Sequence, residues 1–102
     1  MTAFNKINLQ FDGMYLTYNG SRFVARFKRC SDASSFIACL IKNFTVEEYF
    51  AHMDAGIAPL TIAESKGYLL PHIKKWLKEG GYTIDRAGVD ALIADQIASR
   101  NN

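Results

Sequence analysis

Asp12-Gly13 and Asn19-Gly20 constrain this chain more than any other feature of it. Each pair tolerates the positive φ angles of a two-residue hairpin turn, and each sits between alternating apolar residues. A three-stranded antiparallel meander is therefore predicted. With two-residue turns, Phe11 faces Met14, Leu9 faces Leu16 and Ile7 faces Tyr18. Across the second turn Leu16 faces Phe23 and Met14 faces Ala25, so all these side chains share one side. The opposite side would carry Asn8, Gln10, Tyr15, Thr17, Arg22, Val24, Arg26 and Lys28. One face of such a sheet is normally wet, so its cations are read first as solvation and second as phosphate contacts.

Helical periodicity takes over after the meander. Phe36, Ile37, Leu40, Ile41 and Phe44 recur on one helical face, with Ser31 or Ser34 as the cap. The segment Thr45-Val46-Glu47-Glu48 is a capping box, in which the Thr45 hydroxyl accepts from the Glu48 amide while Glu48 reaches back. The helix it opens would bury Val46, Tyr49, Phe50 and Met53 and stop at Gly56. A short helix follows from Pro59 to Gly67, with Leu60 and Ala63 inward, and another from Pro71 to Gly80-Gly81, with Ile73, Trp76 and Leu77 as its apolar stripe. A last helix, capped by Asp85, would bury Val89, Leu92, Ile93 and Ile97, and Arg100-Asn101-Asn102 is expected to fray. The fold class is α+β: a β-meander with a covering helix over residues 1–44, a helical unit over 45–81 and a terminal helix over 82–102. A single domain with one shared core is expected, with its seam at Phe44-Thr45.

Composition narrows the function classes. At 102 residues, 49% apolar and 22% charged, the chain can bury a core of its own. The opening residues show no apolar run of signal-peptide length, and no stretch approaches the roughly 20 apolar residues that span a bilayer, so a small soluble cytoplasmic protein without a membrane partner is expected. Net charge is only +2 but unevenly spread. Residues 1–44 hold six basic and two acidic groups and residues 45–102 six basic and eight acidic, which gives +4 and −2. Residues 65–78 hold Lys66, Lys74, Lys75 and Lys78 and no acid. Two basic patches stand out from an otherwise neutral surface.

Gly56-Ile57, Ile62-Ala63, Gly67, Tyr68, Ile73 and Trp76-Leu77 together resemble the helix-turn-helix of DNA-binding proteins, in the three-helix form of recombinases, transposases and bacterial or phage regulators. The resemblance covers residues 45–81. Its physical basis is local: Ala63 lets two helices cross closely, Gly67 permits a sharp turn, and Ile73 and Trp76 hold the third helix down. It implies DNA as a partner and a third helix whose first residues enter the major groove, so Leu69, Leu70, His72, Lys74, Lys75 and Lys78 become the candidate DNA-binding residues. Arg22, Arg26 and Lys28 on the sheet would add phosphate contacts. The chain departs from the family pattern at Leu69-Leu70-Pro71, where capping and polar side chains are usual. No Arg, Asn or Gln stands there for bidentate base recognition.

Catalysis is not expected, and neither is a cofactor or a metal. His52, His72, Cys30 and Cys39 lack the spacing of zinc ligands, Ser34 and Ser35 lie outside a Gly-x-Ser-x-Gly turn, and adjacent Glu47 and Glu48 face different directions on a helix. Two thiols without repeated spacing read as reduced cysteines, with Cys39 in the core. The competing reading is a protein-interaction module, an adaptor or inhibitor, that docks through an apolar Tyr68-Leu69-Leu70 surface. Homodimerisation through the last helix remains open.

Overall fold

A computed structural model describes residues 1–100. Asn101 and Asn102, where fraying was expected, lie outside the described residues, and Arg100 is the last residue of a helix. The architecture is α+β: a three-stranded antiparallel sheet in the order β1-β2-β3, followed by five helices. The chain divides into two compact units at Tyr68/Leu69 rather than at Phe44-Thr45. The expected seam is stitched shut: Ala3 forms an isolated bridge with Thr45, the Val46 amide donates to the Thr2 carbonyl at 2.7 Å, and the Thr2 amide donates to both Glu47 carboxylate oxygens.

In the first unit, β1 (Leu9–Phe11), β2 (Tyr15–Tyr18) and β3 (Arg22–Arg26) form the meander. The first hairpin is longer than two residues. The Asp12 carboxylate accepts from the amides of Tyr15 at 2.7 Å and Met14 at 2.9 Å, which holds its pKa below the usual range, the Tyr15 bond contributing most. Leu9 consequently pairs with Tyr18 and Phe11 with Leu16, a slide of two residues that keeps these four on the expected face, whereas Ile7 falls in a 3-10 turn before β1 and both Ile7 and Met14, expected inward, are exposed. The second turn has the expected positive φ at both Asn19 and Gly20, but with Tyr18 paired to Arg22 it spans three residues, Asn19, Gly20 and Ser21, instead of two.

An irregularity then changes β3. Leu16 pairs with Ala25 but Thr17 pairs with Phe23, so Val24 is an extra residue. Such a bulge reverses the alternation of faces beyond it. Val24 and Ala25 are both buried, Phe23 turns outward, and Arg22 comes into line with Tyr18. The expected inward Phe23 and outward Arg22 and Val24 are corrected together by the three-residue turn and this extra residue, which keeps Ala25 inward.

Helices α1 (Cys30–Asn43), α2 (Val46–Asp54) and α3 (Pro59–Glu64) complete the first unit. Helix α1 starts before the expected serines, with Arg29 at its cap and no side-chain capping bond. Thr45 caps α2 through the Glu48 amide at 3.2 Å, whereas the Glu48 carboxylate pairs with Lys66 at 3.2 Å. Phe36, Leu40 and Phe44 are buried as expected, but Ile41 is exposed. In α3 the buried pair is Ile62 and Ala63, not Leu60, which stands exposed. Tyr49 is the hub: its ring lies edge-on to Phe4, Phe36, Phe44 and Phe50, and its hydroxyl donates to the Val24 carbonyl at 2.6 Å.

The second unit contains α4 (Pro71–Gly80) and α5 (Arg86–Arg100). Gly81 ends α4 at φ +76°, and the Tyr82 amide donates back to the Leu77 carbonyl. Asp85 caps α5 by accepting from the Gly88 amide at 2.9 Å and the Thr83 hydroxyl at 2.8 Å. Those two bonds, the Gly88 one first, lower the Asp85 pKa. We expect Asp85→Ala to uncap α5, read as faster amide exchange in its first turn. The burial expected for α5 is largely absent: Val89 and Leu92 are half-buried, while Ile93 and Ile97 are 47% and 54% exposed.

Candidate nucleic-acid interface

Helix α4 carries the densest cationic surface of the second unit. Pro71 occupies its first turn, where a missing amide hydrogen costs nothing, and Leu70 at the cap makes no side-chain bond to the following amides. At about 100° per residue, Lys74, Lys75 and Lys78 span roughly a quarter of the helix circumference. All three are exposed, whereas Leu77, about 60° around the helix from Lys74 and about 160° from Lys75, is fully buried. Only Glu79 brings an acid to this helix.

The remaining candidates, on α4 and just before it, divide. Leu70 is half-exposed, so a surface contact is open to it. Leu69 is buried and withdrawn from any groove. His72 is half-buried with its Nδ1 shielded from solvent, and its ring packs edge-on against Trp76 at 5.2 Å. Trp76 was expected to hold the helix down, yet it is 49% exposed, and Leu77 is the fully buried residue of α4. The apolar docking surface of the competing reading also shrinks, since Tyr68 and Leu69 are both buried and Tyr68 donates its hydroxyl to the Asp32 carbonyl at 3.3 Å. Burial raises the Tyr68 pKa to about 12.

The sheet cations belong to the first unit and have separate fates. Arg22 stacks its guanidinium 3.8 Å from the centre of the Phe50 ring and pairs with Asp54 at 3.6 Å, so it is committed to α2. Arg26 and Lys28 are exposed. Lys66, part of the basic stretch in the sequence, is taken by Glu48 and lies over the Phe44 ring. The sequence had no signal for these commitments, because each depends on a partner distant in the chain.

Among the described residues no three His, Cys, Asp or Glu side chains gather as metal ligands, and neither Cys30, which is exposed, nor Cys39, which is buried, is in a disulfide. A hollow in the first unit is lined by His52, Ile57, Thr61, Ile62 and Ser65, with one titratable group among them. In the second unit Tyr82 donates to the Asp95 carboxylate beside Arg100, and that bond, ahead of desolvation, raises the Tyr82 pKa. Among the described residues no helix is long and apolar enough to cross a membrane. No family model, curated protein or solved structure matches the chain.

Proposed function

We propose that the chain is a small DNA-binding protein of helix-turn-helix type that uses α4 as its DNA-contacting helix. The observation carrying this reading is the exposed cluster Lys74, Lys75 and Lys78 within about 100° of the α4 surface, next to buried Leu77. Ammonium groups on one helix face supply positive charge for a duplex backbone, and the uncapped amides at the start of α4 add donors for a phosphate. Positive φ at Gly56 and Gly67 and complete burial of Ala63 support the same family pattern in the segment before α4.

The contacts are with backbone more than with bases. Leu70 can meet a thymine methyl, but the first turn of α4 holds no bidentate reader, so binding with weak sequence preference is expected. Arg26 and Lys28 are auxiliary phosphate contacts in this reading; Arg22 is less suited because Asp54 and Phe50 hold it.

The test is fluorescence anisotropy against random duplex DNA at two salt concentrations. With about four to six phosphate contacts, affinity should fall steeply as salt rises. Lys74→Ala/Lys75→Ala should weaken binding roughly tenfold or more at low salt and reduce the logarithmic salt slope by about two. An unchanged slope in that variant would remove α4 from the interface.

A further inference from the structure

The outward face of the sheet offers a second and chemically different surface. Gln10 pairs with Thr17, Thr17 with Phe23 and Tyr15 with Arg26, and alternation along β2 puts Tyr15 and Thr17 on one side. Phe23 belongs there through the three-residue turn and the bulge at Val24 together. The rings of Tyr15 and Phe23 meet at 6.3 Å with planes inclined at 67°, and these residues are 43% and 44% exposed. Burying Phe23 inward, as simple alternation would do, would have recovered apolar area, so the fold leaves a large ring in water on this face.

Charge identifies what such a face can hold. The three strands contain no Asp or Glu, and from Gly13 to Ser31 the chain carries Arg22, Arg26, Lys28 and Arg29 with no acid. With Arg22 engaged by Asp54, exposed Arg26, Lys28 and Arg29 remain at the end of β3 and just beyond it. Arg26 stands directly across from Tyr15, so a cation and a ring are neighbours on the same face. An occupant must offer flat π-surfaces to two rings and negative charge to a cationic flank at regular spacing. Unpaired nucleic acid does both, because a single strand can turn its bases out to stack while its phosphates meet the cations. A duplex cannot, since its base faces are hidden in the stack.

We propose that the Tyr15–Phe23–Arg26 face of the sheet binds single-stranded nucleic acid by base stacking, with Arg26 and Lys28 holding the adjoining phosphates. This goes beyond the duplex reading of α4 and does not depend on it, because the two surfaces belong to different units. Sequence preference should be slight, since every base has a face to stack.

The full chain is titrated into a labelled oligothymidylate of about fifteen nucleotides by fluorescence anisotropy at low and high salt. Phe23→Ala and Tyr15→Ala should each weaken binding about tenfold, whereas Phe23→Tyr, which keeps the ring, should leave affinity near that of the parent. Arg26→Ala, at an exposed position, should weaken binding and reduce the logarithmic salt slope by about 0.7. Phe23→Ala should leave duplex affinity like that of the parent, and should still weaken oligonucleotide binding when added to Lys74→Ala/Lys75→Ala, so loss on this face and loss on α4 are told apart. Absence of binding at low salt, or equal binding by Phe23→Ala with its circular dichroism spectrum intact, would overturn the proposal. So would loss of single-strand affinity in the lysine variant alone.

Discussion

Gly88→Ala should destabilise the second unit, although the same change in an ordinary helix stabilises by about 1 kcal/mol. A Cβ at Gly88 would stand 1.7 Å from the Thr83 carbonyl oxygen and 2.8 Å from its carbon, and both are backbone atoms. The first turn of α5 cannot move aside cheaply, because the Gly88 amide is held by Asp85 and Asp85 is held by Thr83. Relieving the overlap must break that cap or shift the α4–α5 connection, so a net loss of about 3 kcal/mol is expected. Urea unfolding together with amide exchange in α5 measures it. A higher midpoint in the alanine protein would show that the Thr83–Gly88 approach is not present in solution.

Tyr49→Ala should cost about 3–5 kcal/mol, the range for removing a large ring from a closed core. Tyr49 is fully buried, and four aromatic neighbours lose their shared contact with it. Tyr49→Phe isolates the hydroxyl: the Val24 carbonyl loses its donor while the packing stays, at a cost of about 1–3 kcal/mol. The bulge at Val24 makes this bond consequential, because it ties the extra residue of β3 to α2.

The same hydroxyl sets an alkaline limit. Burial raises the pKa of Tyr49, and raises that of Tyr68 to about 12. An unfolded tyrosine ionises near pH 10, so above that pH the unfolded chain releases protons that the folded chain still holds. The stability these two phenols contribute is fully present below about pH 10 and falls as pH rises toward the folded values. Urea midpoints at pH 8 and near pH 11 should therefore fall less in Tyr49→Phe than in the parent, and an equal fall would mean that the hydroxyl is not buried.

Much of the fold was legible because it depends on near neighbours in the chain. Asn19-Gly20 specifies a turn with two positive φ angles, Thr45 finds its amide three residues on, and Gly56, Gly67 and Gly81 end their helices by adopting a conformation few other residues tolerate. The candidate site was legible to a similar depth. Lys74, Lys75 and Lys78 fall on one helix face by periodicity alone, and their exposure follows from a charge that is costly to bury. Where periodicity misled, the apolar residue lay at the margin of a stripe: Ile41, Leu60, Trp76, Ile93 and Ile97 all fit a helical face and all remain exposed. A stripe states which side of a helix is apolar, not how much of it another element covers.

By itself the sequence determined the class and order of elements, the Asn19-Gly20 turn angles, the Thr45 and Asp85 caps and the cationic face of α4, since each is decided within a few residues by backbone sterics and local hydrogen bonds. Only the tertiary structure decided which cations stay available and which ring faces water. Arg22 is claimed by Asp54 and Phe50, Lys66 by Glu48, and Phe23 is turned outward by the three-residue turn and the extra residue in β3. The physical reason is common to all three: a bulge or an ion pair is settled by the free energy of partners far apart in the chain, and no local propensity encodes where those partners will stand.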